Sequence, residues 1–252
     1  MNLRKLLVVV TAFAIAMGFL ESAVVVYMRE LLYPGGFEFP LSPIPVNLAI
    51  TELLREVATL VMLVTIGMVA ANRMISANGM TTGGESASGR FSTGFAWFIY
   101  SFAIWDIFYY VFLKLLLGWP QSLMTWDVLF LIPTTWTGPV LSPVVVSLTM
   151  ILLAMVILVC AERGTQTRIR RLEWMGLILG SLVLIFGFVF DYSQHMLAHF
   201  SLFGMLQVKN PEVLEVATSY IPNRFPWWIF CIGEGIILAT IALYRRRVKT
   251  EP

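Results

Sequence analysis

The chain contains two histidines. They stand at His195 and His199, and Asp191 lies four residues before the first. On a helix each four-residue step turns by only about 40°, so one carboxylate and two imidazoles form a single ridge. Zinc accepts such a donor set, and an open coordination position lets it activate a water. Neither an HExxH nor a Glu-x-x-His pattern occurs, so zinc-protease and di-iron bundle arrangements do not apply. The alternative is that both imidazoles are interfacial hydrogen-bonding groups at a membrane boundary. A haem held by both is excluded, because axial ligands approach iron from opposite sides; one axial histidine remains compatible.

The other chemistry-bearing residues lie inside apolar runs. Ionisable groups there are costly and normally face the interior of a helix bundle, which makes each a functional lead. With a rise of about 1.5 Å per residue, Glu21 falls at about 22 Å and Asp106 at about 17–20 Å from the start of their runs, and Asp191 at about 24 Å. Counted from the opposite face, Glu52 and Glu56 are about 9 and 15 Å deep, and Glu234 about 10 Å. All five runs therefore deliver carboxylates to one slab, and a single shared pocket is the expectation. Glu52, Arg55, Glu56 and Thr59 share a helix face by their three- and four-residue spacing, as do Asp106, Tyr109, Tyr110 and Lys114.

Within that pocket Asp191, His195 and His199, with Glu21 or Glu52, are the expected ligands of a divalent metal, zinc or iron. Glu56, Asp106 and Glu234 are the expected acid and base groups. Arg55 is expected to be a structural ion pair, because a buried charge needs a partner. Asp127, beside Trp126 in a loop, reads as an anchor of that loop. Glu21, Glu30, Glu52, Glu56, Asp106, Asp191 and Glu234 face only Arg29, Arg55 and Lys114 at this depth. Such an acid excess is neutralised by protons or by a bound cation.

The elements that position these groups follow from composition. Of 252 residues, 58% are hydrophobic and 13% charged, with a mean hydropathy of +0.82. Soluble domains carry about 25% charged residues. A helix crosses about 30 Å of hydrocarbon with about 20 apolar residues. Six runs reach that length, about 6–27, 46–70, 95–116, 140–161, 175–194 and 227–244. They are continuous rather than alternating, which excludes the strands of a membrane barrel. The expected fold is an all-α integral membrane protein, a single six-helix transmembrane domain over 1–252. The basic start before the first run imitates a secretory signal, but the run resumes after Glu21 and reads as a retained first helix.

Arg4, Lys5, Arg73, Arg90, Arg163, Arg168, Arg170, Arg171, Arg245, Arg246, Arg247 and Lys249 all fall on one side, leaving five of the 17 basic residues elsewhere. Among those five, Lys209 and Arg224 sit in the last loop of the opposite side. By the positive-inside rule both termini are expected in the cytoplasm, with the protein in the cell (plasma or inner) membrane. The arginine-rich carboxyl end reads as a topology anchor with a liking for anionic lipid. Cys160 and Cys231 fall near opposite faces, too far apart for a disulfide.

The inner loop 76–89 is rich in Gly, Ser and Thr and reads as a flexible linker. The outer loop 33–47 is stiffened by prolines. The next outer loop, 118–139, is apolar, bracketed by Pro120 and Pro133, too short to span, and bears three tryptophans; an interfacial or re-entrant segment is expected. These two loops would roof the pocket. A short helix is expected at 211–218. Gly176 and Gly180 offer a small-x-x-x-small packing face. Gly233 and Gly235, flanking Glu234, leave room for close approach by another backbone or a ligand.

The bilayer is the one partner that composition demands; no phosphate loop or other nucleic-acid or nucleotide motif is present. Three functions fit. The first is a metal-dependent membrane enzyme acting on a lipid or other amphiphile. The second is a proton- or cation-coupled transporter, disfavoured by the lack of inverted repeats and of polar inner halves. The third is a non-catalytic subunit of a larger membrane complex. A homo-oligomer or partner subunits would accompany the last two.

Overall fold

The structure, a computed structural model, describes residues 2–33, 35–42, 44–77, 87–131, 134–164, 167–201, 204 and 210–250. Most of the linker expected at 76–89 lies outside them, as do Pro133 and Lys209. Among the described residues six helices are long and apolar enough to cross a membrane. They are α1 (Leu3–Leu32), α2 (Val46–Ala77), α3 (Ala87–Leu117), α4 (Leu141–Glu162), α5 (Arg171–Leu197) and α7 (Trp227–Thr250). Five contain their expected runs and α4 misses only Val140, its N-cap; most extend beyond the run by a turn or more. A helix meets its own backbone hydrogen bonds without water, so it continues until caps or water can take over.

The short helix appears as expected, α6 at Pro211–Thr218. Its start is fixed locally: Asn210 caps it by accepting the Glu212 amide at 3.1 Å, and Pro211 occupies the first turn, where its missing N–H costs nothing. The apolar loop after α3 holds a two-stranded antiparallel hairpin of β1 (Trp126–Phe130) and β2 (Trp136–Pro139). The segment expected to be interfacial or re-entrant is this hairpin. Aromatic and β-branched residues suit a pleated ribbon, and open ribbon edges do not face hydrocarbon.

α3 is the centre of the larger lobe. Half of its most apolar window is buried, against 28% for α1, α2 and α4. It packs against all three. Two glycines allow the approach: a Cβ on Gly18 of α1 would stand 3.0 Å from the Trp105 carbonyl, and one on Gly67 of α2 would stand 2.9 Å from the Phe98 amide. Ser22 of α1 donates to its own helix at Gly18 O and sits 3.0 Å from the Tyr109 carbonyl of α3.

The second lobe is the α5–α7 pair. Here the small-residue face expected at Gly176 and Gly180 meets α7. A Cβ on Gly180 would lie 3.0 Å from the Gly233 carbonyl, and one on Gly233 would lie 3.1 Å from the Gly180 carbonyl. Close backbone approach of this kind replaces the hydrophobic effect as the source of helix association in lipid. Gly235, by contrast, faces open space. The lobes join where Thr149 of α4 donates to Glu234 Oε2 of α7 at 2.9 Å. They also meet where Tyr244 and Thr167 link α7 to the start of α3. Neither Cys160 nor Cys231 is in a disulfide.

Gly180→Leu should drive α5 and α7 apart, because a Cβ there already meets the Ile237 side chain and, behind it, the Gly233 carbonyl and the Ile237 amide of the α7 backbone. A loss of about 1–3 kcal/mol is expected from such overpacking, read as earlier unfolding in a denaturing-detergent titration. Gly235→Ala serves as the contrast and should not lower the midpoint, because its Cβ meets nothing and alanine favours the helix over glycine.

Candidate functional site

One cavity lies at the hairpin end of the larger lobe, with a volume of about 180 Å³. Three transmembrane helices and two loops contribute to it, each for a local reason. On α2, the three- and four-residue spacing puts Glu52, Arg55 and Glu56 on one side. α1 supplies Glu21, one turn beyond Met17, and α3 supplies Asp106 and Tyr109. The first outer loop closes over them with Phe37, Leu41 and Ile44, and the hairpin with Val128, Leu129 and Leu131. Both loops expected to roof a pocket therefore do so.

The guanidinium of Arg55 is shared. Its Nη2 stands 3.1 Å from Glu21 Oε1, and its Nε donates at 2.9 Å to Glu52 Oε1, which Nη2 also contacts. Arg55 is thus the ion-pair residue expected, joining α1 to α2. Glu56 is buried, and its Oε2 accepts the Leu131 amide at 3.2 Å. That bond fastens the chain just after β1 to α2. Asp106 accepts the Ser147 hydroxyl of α4 at 2.8 Å. Glu21 Oε2 is buried and has no hydrogen-bond partner among the described residues.

A second ion pair stands beside the first. Arg29, at the end of α1, lies 3.5 Å from Asp127 Oδ1, and the Tyr110 hydroxyl donates to Asp127 Oδ2 at 3.3 Å. The guanidinium sits over the rings of Trp119 and Phe37, at 3.8 and 4.4 Å from their centroids. Asp127 is therefore the anchor expected of it. The sequence does not mark the Leu131 amide as the partner of Glu56, nor Arg29 and Tyr110 as those of Asp127. The one sequence signal for that pairing is a lone arginine at a helix end and a lone acid among loop tryptophans.

The residues expected to hold a metal do not meet. Among the described residues no three of His, Cys, Asp and Glu are grouped so that they could hold an ion. Glu21 and Glu52 lie in the cavity with Arg55, whereas Asp191, His195 and His199 are on α5 and the turn after it, in the other lobe. Asp191 Oδ2 accepts the Tyr220 hydroxyl at 2.7 Å and the Asn223 amide at 3.1 Å. His195 Nε2 is 2.9 Å from the Val216 carbonyl, so that nitrogen carries the proton and donates. His199 Nδ1 is 3.1 Å from the His195 carbonyl and donates likewise. These bonds pin α6 and the segment after it to the end of α5, the hydrogen-bonding alternative for the imidazoles. Glu234 is also remote from the cavity: it is buried between α7 and α4, with Oε1 unpartnered among the described residues.

Asp127 lies outside the spans, and burial pushes its carboxyl from 3.8 up to about 6, against the pull of Arg29, the Val128 amide and the Tyr110 hydroxyl. An acid raised in the folded state holds its proton more tightly there than when unfolded. Its stabilising contribution is full below about pH 4 and is lost as pH rises through about 6. Asp127→Asn should flatten the dependence of the thermal midpoint in that window, where the wild type should lose ground to the variant. Parallel curves between pH 4 and 6 would show that Asp127 does not titrate there.

Comparison of the chain with protein-family models, with curated proteins and with solved structures finds no match.

Proposed function

We propose that the chain is a multi-pass enzyme of the cell membrane that acts on a lipid or another amphiphile, with the cavity between α1, α2, α3 and the hairpin as its active site. The observation that carries this reading is unclosed charge beside an apolar wall. Glu21, Glu52, Glu56, Asp106 and Asp127 share the cavity with two guanidiniums, Arg29 and Arg55. Protons can neutralise the remainder in the resting state. A headgroup rich in donors, an amine or a polyol, would do so on binding. Val25, Met28, Leu32, Leu41 and Ile44 line the same cavity and suit an acyl chain.

The chemistry such a site supports is proton transfer. Of Glu56 and Asp106, the ionised one takes a proton from a hydroxyl or water, and the protonated one returns a proton to the leaving group. Glu21 and Glu52, held by Arg55, orient the head. Glu234 has no part in this scheme, because it lies on α7 against Thr149, where the two lobes join, and does not line the cavity.

The basic residues at the terminal end support an orientation with both termini cytoplasmic and the cavity at the outer leaflet. Ala14, Met17, Leu63 and Trp105 pack as an apolar layer beside the cavity, toward the terminal end. A layer without ionisable side chains favours a chamber with one opening over the conduit a transporter needs.

Glu56→Gln keeps an acceptor for the Leu131 amide but cannot exchange a proton. Wild type and variant reconstituted in vesicles of mixed phospholipid and glycolipid should differ in lipid turnover, followed by mass spectrometry, by about 10²-fold or more. A lipid spectrum left unchanged by the wild type sinks the enzyme reading. Equal rates would remove Glu56 from it.

A further inference from the structure

A second feature lies at the terminal end, away from the acids. α4 and α7 touch through Thr149 and Glu234, and toward the termini they leave a groove between them. Two adjoining hollows occupy it, of about 450 and 570 Å³. They share Leu152, Val156, Arg245 and Lys249.

The two walls carry matching ridges. On α4 the groove is lined by Leu152, Val156, Val159 and Arg163. On α7 it is lined by Leu238, Ala242, Arg245 and Lys249. Both sets run at steps of four, three and four residues, which keeps each on one helical face. Each ridge starts apolar and ends basic. Each covers twelve residues, about 16 Å of helix from first to last, close to the depth of one leaflet, about half of the 30 Å hydrocarbon layer.

Among the described residues the cations at the mouth, Arg163, Arg245 and Lys249, make no salt bridge. Arg247, one position away from this face, is paired with Glu173 at 2.7 Å. Glu162 and, by sequence, Glu251 are the acidic neighbours. All three cations are exposed, as are Leu152 and Leu238 on the apolar floor.

We propose that this groove is a binding site for an anionic phospholipid of the leaflet at the terminal end. Its phosphate sits among Arg163, Arg245 and Lys249, and an acyl chain lies along Leu152, Val156, Leu238 and Ala242. Basic pockets between helices at the edge of the bilayer recognise such headgroups. The matched apolar floor separates this site from the diffuse attraction of any polybasic tail.

The test uses the full-length protein in detergent with phosphatidylglycerol or phosphatidylcholine as probes, bound lipid being counted by native mass spectrometry. Phosphatidylglycerol should be retained at least tenfold better than phosphatidylcholine. Arg163→Gln and Lys249→Gln should each lower its affinity about fivefold, as expected for one cation at the membrane surface. Ala242→Phe fills the floor and leaves every charge in place, and it too should cost about tenfold; Val156→Trp does the same from the α4 side should Ala242→Phe unfold. Inorganic phosphate at equal concentration should not compete. Full retention by the groove-filling variants overturns the proposal in favour of surface attraction alone. So does equal binding of the two lipids, or displacement by phosphate.

Discussion

A guanidinium shared by two carboxylates holds the larger lobe together where packing alone does least. α1 and α2 both pack on α3 and touch each other little, yet Arg55 of α2 reaches Glu21 of α1 while holding Glu52 of its own helix. In hydrocarbon neither sign of charge has water to fall back on, so removing one member strands the other. That constraint fixes the spacing of α1 and α2 and hence the width of the cavity between them. It also fixes the rotation of α2, which brings Glu56 one turn further on to the chain after β1.

The hairpin then becomes part of the membrane domain rather than a loose loop. It is held by the Leu131 amide on Glu56 and by Arg29 on Asp127. Val140 and Leu141 extend the tie by donating to the carbonyls of Thr125 and Leu123, where the chain enters α4. On its far side Thr137 of β2 is 3.0 Å from the Tyr220 hydroxyl, which also donates to Asp191. The hairpin therefore links the two lobes at the level of the cavity.

What was legible in the sequence follows the same physics. Six helices, the short helix at Pro211–Thr218 and the glycine face of α5 are local patterns, readable from run length, capping residues and spacing. Arg55 was readable because a buried cation must be paired. Depth was also readable, and it did gather Glu21, Glu52, Glu56 and Asp106. Depth fixes height alone, however. It says nothing about the direction in which each helix faces once the bundle is assembled. Asp191 and His195 share the height of the cavity but belong to the α5–α7 lobe, whose pairing through Gly180 and Gly233 turns them toward Tyr220 and Val216. The hairpin escaped because tryptophan and proline mark an interface in the same way whether the backbone is extended or helical.

The acids of this protein are not equivalent, and the difference lies in how fully each is answered. Glu173 is met by Arg247 and by the Arg170 amide. Asp191 is met by a hydroxyl and an amide, and Asp127 by a guanidinium and a phenol. Those three have the closed accounts of groups that fix packing, and each ties one segment to another. Glu21 is different: one oxygen is held by Arg55 and the other, buried, is held by nothing described, with Glu56 and Asp106 lining the same space. Buried polar atoms are satisfied in the great majority of cases, and an exception asks for a reason. Glu234 shares the exception, but it does not line this cavity. At Glu21 there is room for more than a proton, and that conjunction of an unanswered acid with space beside it makes the cavity the place to look for chemistry.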